Sequence, residues 1–72
     1  QAPWGAEPTP PTPQQLAILQ HLADGFSRPQ VAEQLCLSPN TMRTHCQRIH
    51  ARLGVHTNTH AVAVALRAGW ID

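Results

Sequence analysis

Between Thr12 and Asp72 the chain is cut into short helical segments whose starts and stops can be read directly. Thr12-Pro13-Gln14-Gln15 is a capping box with Pro at the first helical position, and Ser27-Arg28-Pro29-Gln30 is a second one. Ser38-Pro39 opens a third helix, and Thr57 or Asn58 opens a fourth. Gly25, Gly54 and Gly69 stand where the first, third and fourth should end. Apolar residues never alternate with period two over a useful length, so no strand is expected. Helices this short are marginal in water on their own, so they must share one core. The expected fold is all-α, with four helices in a single small domain.

The spacing of apolar residues predicts which faces meet. Leu16, Leu19, Leu22 and Ala23 form a stripe on the first helix at i, i+3, i+6 and i+7. Val31, Ala32 and Leu35 should point inward from the second, and Leu37 should fill the tight turn that follows. Val55 packs after the third helix. Ala61, Val62, Ala65 and Leu66 are the apolar positions of the fourth, and Trp70 and Ile71 fold back on the core. About four residues join the second and third helices, close to a helix-turn-helix junction. Such a pair cannot bury its apolar face by itself, so the first and fourth helices are its packing partners.

The folded domain is therefore expected at residues 12–72. Residues 1–11 hold four prolines, a glycine and little apolar content besides Trp4, and read as a flexible lead-in or linker. A 72-residue chain allows at most one small domain, burying about 60% of its unfolded surface.

The third helix, Pro39 to Leu53, carries the chemistry. At roughly 100° per residue, with Asn40 at zero, Met42, Cys46, Ile49 and Leu53 cluster at about 180–240°. Asn40, Arg43, Thr44, Gln47, Arg48 and Ala51 fall within about 80° of zero. One face can enter a core while the other offers guanidinium, carboxamide and hydroxyl groups, which suit base edges and phosphates. The net charge is only +1, but it is unevenly placed. Arg43, Arg48, Arg52 and Arg67 lie between Gln34 and Ile71, where there is no Asp or Glu. Local field rather than net charge steers a protein toward phosphates.

Residues 12–71 resemble the LuxR-type (FixJ- or GerE-type) DNA-binding domain of bacterial transcription regulators. The resemblance is carried by Ala23-Asp24-Gly25-Phe26-Ser27 and Val31-Ala32-Glu33-Gln34-Leu35, then by Leu37-Ser38-Pro39-Asn40-Thr41-Met42-Arg43-Thr44-His45. Leu53-Gly54-Val55 and Ala61-Val62-Ala63 complete it. The chain departs from the family at Pro11-Thr12-Pro13-Gln14-Gln15, where Leu-Thr-x-Arg-Glu is common, at His60, at Cys46 and in having no Lys. The family's Glu ties the first helix to the DNA-reading unit; Gln15 keeps the hydrogen bonding but not the charge.

The resemblance implies that the third helix enters the major groove of double-stranded DNA, with Arg43, Thr44 and Gln47 as base readers. Those residue types fit: Arg can pair with guanine O6 and N7, Gln with adenine N6 and N7, and the Thr methyl can meet thymine. Arg28, Asn40, Thr41, His45, Arg48 and Arg52 are the expected phosphate contacts, helped by helix N-termini capped by Ser27 and Ser38. Arg67 is expected to be solvated. The resemblance also implies a homodimer on a pseudo-palindromic site, paired through Val62, Ala63 and Leu66 of the fourth helix. The isolated domain is expected to be a monomer that pairs on DNA. RNA polymerase is a further partner of such regulators.

The lead-in is expected to join an N-terminal receiver or ligand-binding domain; a stand-alone regulator with a short tail is the alternative. Two other functions compete. One is a sigma-factor segment, disfavoured by Leu53-Gly54-Val55 and the capped fourth helix; the other is a helix-turn-helix interaction module that has lost DNA binding. No nucleophile motif is present, so no enzyme is expected. No cofactor or metal is expected either: Cys46 and His50 are spaced i, i+4, but Cys46 points inward and no pair of cysteines has finger spacing. His21, His50, His56 and His60 are assigned no special role, and Cys36 and Cys46 read as two small buried thiols. No apolar run approaches the ~18 residues of a membrane span, and a cytoplasmic location is expected.

Overall fold

A computed structural model describes residues 11–72. It contains four helices: α1 (Pro13–Ala23), α2 (Arg28–Gln34), α3 (Pro39–Leu53) and α4 (Asn58–Ala68), with no strand among the described residues. None of these helices is long and apolar enough to cross a membrane. Of the lead-in expected at residues 1–11, residues 1–10 lie outside the described residues. Pro11, just after it, is buried at the root of α1.

Each helix starts on the side chain that the sequence assigns. Thr12 and Gln15 exchange two hydrogen bonds: the Gln15 N–H donates to Thr12 Oγ1 at 3.3 Å, and the Thr12 N–H donates to Gln15 Oε1 at 3.1 Å. Ser27 and Gln30 repeat the arrangement at 3.3 and 2.8 Å. Ser38 caps α3, and of the two candidates for α4 Thr57 is the cap, accepting from the His60 N–H at 3.1 Å. Orphan N–H groups at each start are thereby satisfied. At the far end of α3 Gly54 adopts φ 67°, a left-handed conformation that glycine enters without a Cβ clash, and it turns the chain toward Val55.

α1 is the central element, packing on α2, α3 and α4, while α3 packs on α2 and α4. α2 and α4 make no contact with each other. One core joins Ile18 and Leu19 of α1, Val31 and Ala32 of α2, Met42, Cys46, Ile49 and Leu53 of α3, and Ala61, Val64 and Ala65 of α4, with Val55 and Ile71 closing it. The Gln20 carboxamide clasps the C-terminal residue: its Nε2 donates to the Asp72 carbonyl and its Oε1 accepts from the Asp72 N–H, both at 3.1 Å.

Several apolar assignments move. On α1 the buried centre is Gln15, Ile18 and Leu19, while Leu16, Leu22 and Ala23 are half-buried against the core. A helix contacting three others buries the arc i, i+3, i+4, i+7, and the leucine spacing follows only the edge of that arc. On α4 Val64 is inward, Val62 is half-buried and Leu66 is 45% exposed. The alternating Ala-Val run leaves the face of that helix ambiguous in sequence, and packing on α1 and α3 selects Ala61, Val64 and Ala65. Leu35 is half-buried and packs against the core. Cys36 is exposed, not buried, and holds φ 57°, so the turn between α2 and α3 places a non-glycine residue in the left-handed region.

Candidate nucleic-acid interface

α3 has two sharply different faces. Met42, Cys46, Ile49 and Leu53 are between 1% and 3% exposed. Asn40, Thr41, Arg43, Thr44, Gln47, Arg48, Ala51 and Arg52 are all exposed, and His45 is half-buried at the border. Every residue expected on the base-reading face therefore reaches solvent from one rigid element anchored along its whole back.

The first turn of α3 is internally bonded. Ser38 Oγ accepts from the Thr41 N–H at 3.1 Å and donates to Thr41 Oγ1 at 2.8 Å. Arg43 Nη2 donates to Asn40 Oδ1 at 3.3 Å, and Thr44 Oγ1 donates to the Asn40 carbonyl at 3.1 Å. Thr41 and Asn40, expected to serve phosphates, thus hold the helix start as well. Gln47 and Arg48 lie one turn further on, exposed on the same side.

Beside this face an open groove of about 400 Å³ runs between α2 and the start of α3. Pro29, Ala32, Leu37, Pro39 and Met42 supply its apolar lining, and Arg28, Arg43 and Glu33 its charges. Glu33 has no expected role in the sequence: α3 carries no acid, but α2 brings one to the groove that Arg43 borders. The available signal was its spacing of i+4 from Pro29, which puts both on one face of α2. At the other end of α3, Arg48, Ala51 and Arg52 share a shallow recess with Gln15 of α1. Gln15, 5% exposed, closes the capping box of its own helix while bordering that recess.

Arg28 has a second task. Its guanidinium reaches the Cys46 thiol, and the Asn58 side chain hydrogen-bonds the same sulfur. Burial pushes the Cys46 thiol up, and this outweighs the opposing pull of the Arg28 charge and of the hydrogen bonds from Asn58 and Arg28. The sulfur therefore stays protonated at neutral pH and is a poor nucleophile. Asn58 is used at both ends, because its Oδ1 accepts from His50 Nε2–H at 2.7 Å. His50, given no role from sequence, fastens α3 to the start of α4. His21 is also engaged: its Nδ1–H donates to the Ala17 carbonyl at 2.8 Å, and its ring lies 5.6 Å from that of Phe26. On α4, Leu66 is exposed, while Val62 and Ala63 are half-buried and Val62 packs against the core.

Residues 11–65 match the family described as bacterial regulatory proteins, luxR family. Over 55 residues the chain is 40% identical to the probable transcriptional regulatory protein NarL of Mycobacterium tuberculosis, a match spanning 76% of this chain and 26% of that protein. It is 37% identical over 63 residues to the uncharacterized transcriptional regulatory protein YxjL of Bacillus subtilis, spanning 88% of this chain and 29% of the relative. With the transcriptional regulatory protein DegU of Brevibacillus brevis the identity is 30% over 60 residues, or 83% and 25% of the two chains. The chain spans about a quarter of the length of these relatives.

Proposed function

The chain belongs to the luxR family of bacterial regulatory proteins, and on that premise we propose that it is the DNA-binding part of a cytoplasmic transcription regulator, reading bases with the outward face of α3. The observation that carries this is the division of α3: a back buried to within a few per cent and a front of exposed Arg43, Thr44, Gln47 and Arg48. A helix fits the major groove, where Arg, Gln and Thr can tell base pairs apart. Arg43, Thr44 and Gln47 read bases; Arg48, Arg52, Thr41, His45 and Arg28 meet the sugar-phosphate backbone. Arg28 does so from a guanidinium already held beside Cys46.

Two copies pair on a pseudo-palindromic site through Val62, Ala63 and Leu66. Leu66 is one of two large apolar side chains left exposed among the described residues, the other being Phe26. A patch this small falls well short of the roughly 800 Å² per partner of a stable interface, so the domain alone is a monomer that pairs when DNA supplies the second contact. A tight dimer at micromolar concentration in sedimentation without DNA contradicts this. By analogy with the longer relatives, residues 12–72 form the output unit, and residues 1–11 link it to a sensing or receiver domain. Contact with RNA polymerase belongs to the same proposal.

The test compares Arg43→Ala with Arg48→Ala on a selected duplex and on random DNA. The first relaxes discrimination by about 1–3 kcal/mol at one base position; the second weakens every duplex alike. Affinity for both falls as salt rises, through counterion release. Equal losses on specific and random DNA for both variants, or binding indifferent to salt, overturn the assignment.

A further inference from the structure

Asn40 is the residue whose observed contacts differ most from its expected role. From sequence it stands among the phosphate contacts. In the structure its two carbonyl oxygens hold the two residues that follow it on the reading face: Oδ1 accepts from Arg43 Nη2 at 3.3 Å, and the main-chain carbonyl accepts from Thr44 Oγ1 at 3.1 Å. We propose that Asn40 is a positioning residue for base reading, its side-chain Oδ1 fixing Arg43 in the orientation in which it meets the groove. The inference rests on the reading of α3 as the base-reading helix.

The physical case begins with Arg43. A free arginine samples many rotamers, and ordering it on a base edge costs entropy. A neighbour that holds the guanidinium beforehand removes part of that cost. The tether also leaves the reading function intact. Guanidinium has five N–H groups, arranged so that two of its edges each present a parallel pair. One Nη2–H given to Asn40 leaves the other edge complete for guanine O6 and N7. Thr44 is held differently. Its hydroxyl is turned back onto the helix, which fixes the side-chain rotamer and with it the direction of the methyl group. The Thr44 bond is to the main chain and does not depend on the Asn40 side chain, which acts on Arg43. Its foundation is firm, since Asn40 lies in the turn that Ser38 caps and Ser38 binds Thr41 twice.

The test selects bound duplexes from a random pool with the wild type, Arg43→Ala, Asn40→Ala and Asn40→Asp. For each, affinity is measured for the selected site and for the site changed at the Arg43-dependent base. Melting temperature is measured in parallel. Arg43→Ala is expected to lower the preference at that base at least about fivefold. Asn40→Ala is expected to lower the same preference roughly threefold, the cost of ordering one long side chain, with the melting temperature within a degree or so of wild type. Asn40→Asp keeps an acceptor at Oδ1; it should hold the preference near the wild-type ratio while the added charge weakens all duplexes together.

If Arg43→Ala relaxes the preference and Asn40→Ala leaves it at the wild-type ratio, the positioning role is wrong and the base-reading role of α3 stands. A uniform loss over all duplexes in Asn40→Ala returns Asn40 to the phosphates and also overturns the proposal, as does loss of preference in Asn40→Asp equal to that in Asn40→Ala. If the wild type shows no base preference for Arg43→Ala to relax, the underlying reading fails first.

Discussion

The two faces of α3 run along the same fifteen residues and answer to different demands. The inward face meets three other helices, and nothing on it can change volume without the neighbours responding. The outward face meets solvent, and near its start Asn40, Arg43 and Thr44 bond to one another. The consequence is a division of labour. Met42, Cys46, Ile49 and Leu53 are buried, whereas Asn40, Arg43, Thr44 and Gln47, to which we assign recognition, are exposed, and the two sets interleave without sharing a residue.

The sharpest way to break this comparison is to cut both faces in the same turn. Ile49→Ala removes a side chain that is 1% exposed and should cost about 2–5 kcal/mol, much of the stability of a domain this small. Gln47→Ala, two residues away, should stay within about 0.5 kcal/mol of wild type in chemical denaturation. Comparable losses from the two would show that the outward face is structural. Next in size is the DNA pair, Arg43→Ala against Arg48→Ala, where a loss of about 1–3 kcal/mol falls on discrimination alone.

A smaller effect is expected at the turn that starts the helix. Cys36 holds φ 57°, which a glycine adopts without penalty. Cys36→Gly should therefore stabilise the domain by about 0.5–1 kcal/mol in a denaturant titration, the gain being reduced by the freedom of glycine in the unfolded chain. A loss of stability would mean that the exposed thiol has a partner holding the turn.

The inward face has its own pH signature. The Cys46 thiol is raised by burial in the folded state above its ordinary value of 9.0. A folded value above the unfolded one stabilises the fold fully below the ordinary value, and that contribution is lost as pH rises through the folded value. All five basic side chains are Arg and there is no Tyr, so neither Lys nor Tyr titration obscures this range. The melting temperature of wild type should fall above pH 9.0 more steeply than that of Cys46→Val. Identical alkaline limbs would place the sulfur in contact with water.

Much of this could be read from the sequence, unevenly and for physical reasons. Helix starts were legible because a Ser or Thr three residues before a Gln or amide N–H is a local device, complete within one turn. The inward stripe of α3 was legible because its large residues recur at helical spacing. α1 and α4 are misread by part of a turn, since Ile18 competes with three leucines and alanines fit either side of α4. Arg28 on Cys46 and the His50–Asn58 bond were out of reach, because each joins different helices and depends on how they cross. Membership of the family was legible from Leu37 to His45 and from Leu53 to Val55, where turn, cap and reading positions coincide. The pairing of Asn40 with Arg43 lies within reach of i, i+3 reasoning, but asparagine at a helix start fits a phosphate equally well.

The central claim is that the exposed side of α3 is the surface that meets duplex DNA. Amide chemical shifts of the labelled domain, followed while a selected duplex is added, test it directly. Asn40, Arg43, Thr44, Gln47 and Arg48 should shift first and furthest. If those amides stay in place while the signals of α4 or the α1 surface move, DNA binds elsewhere and the account is wrong.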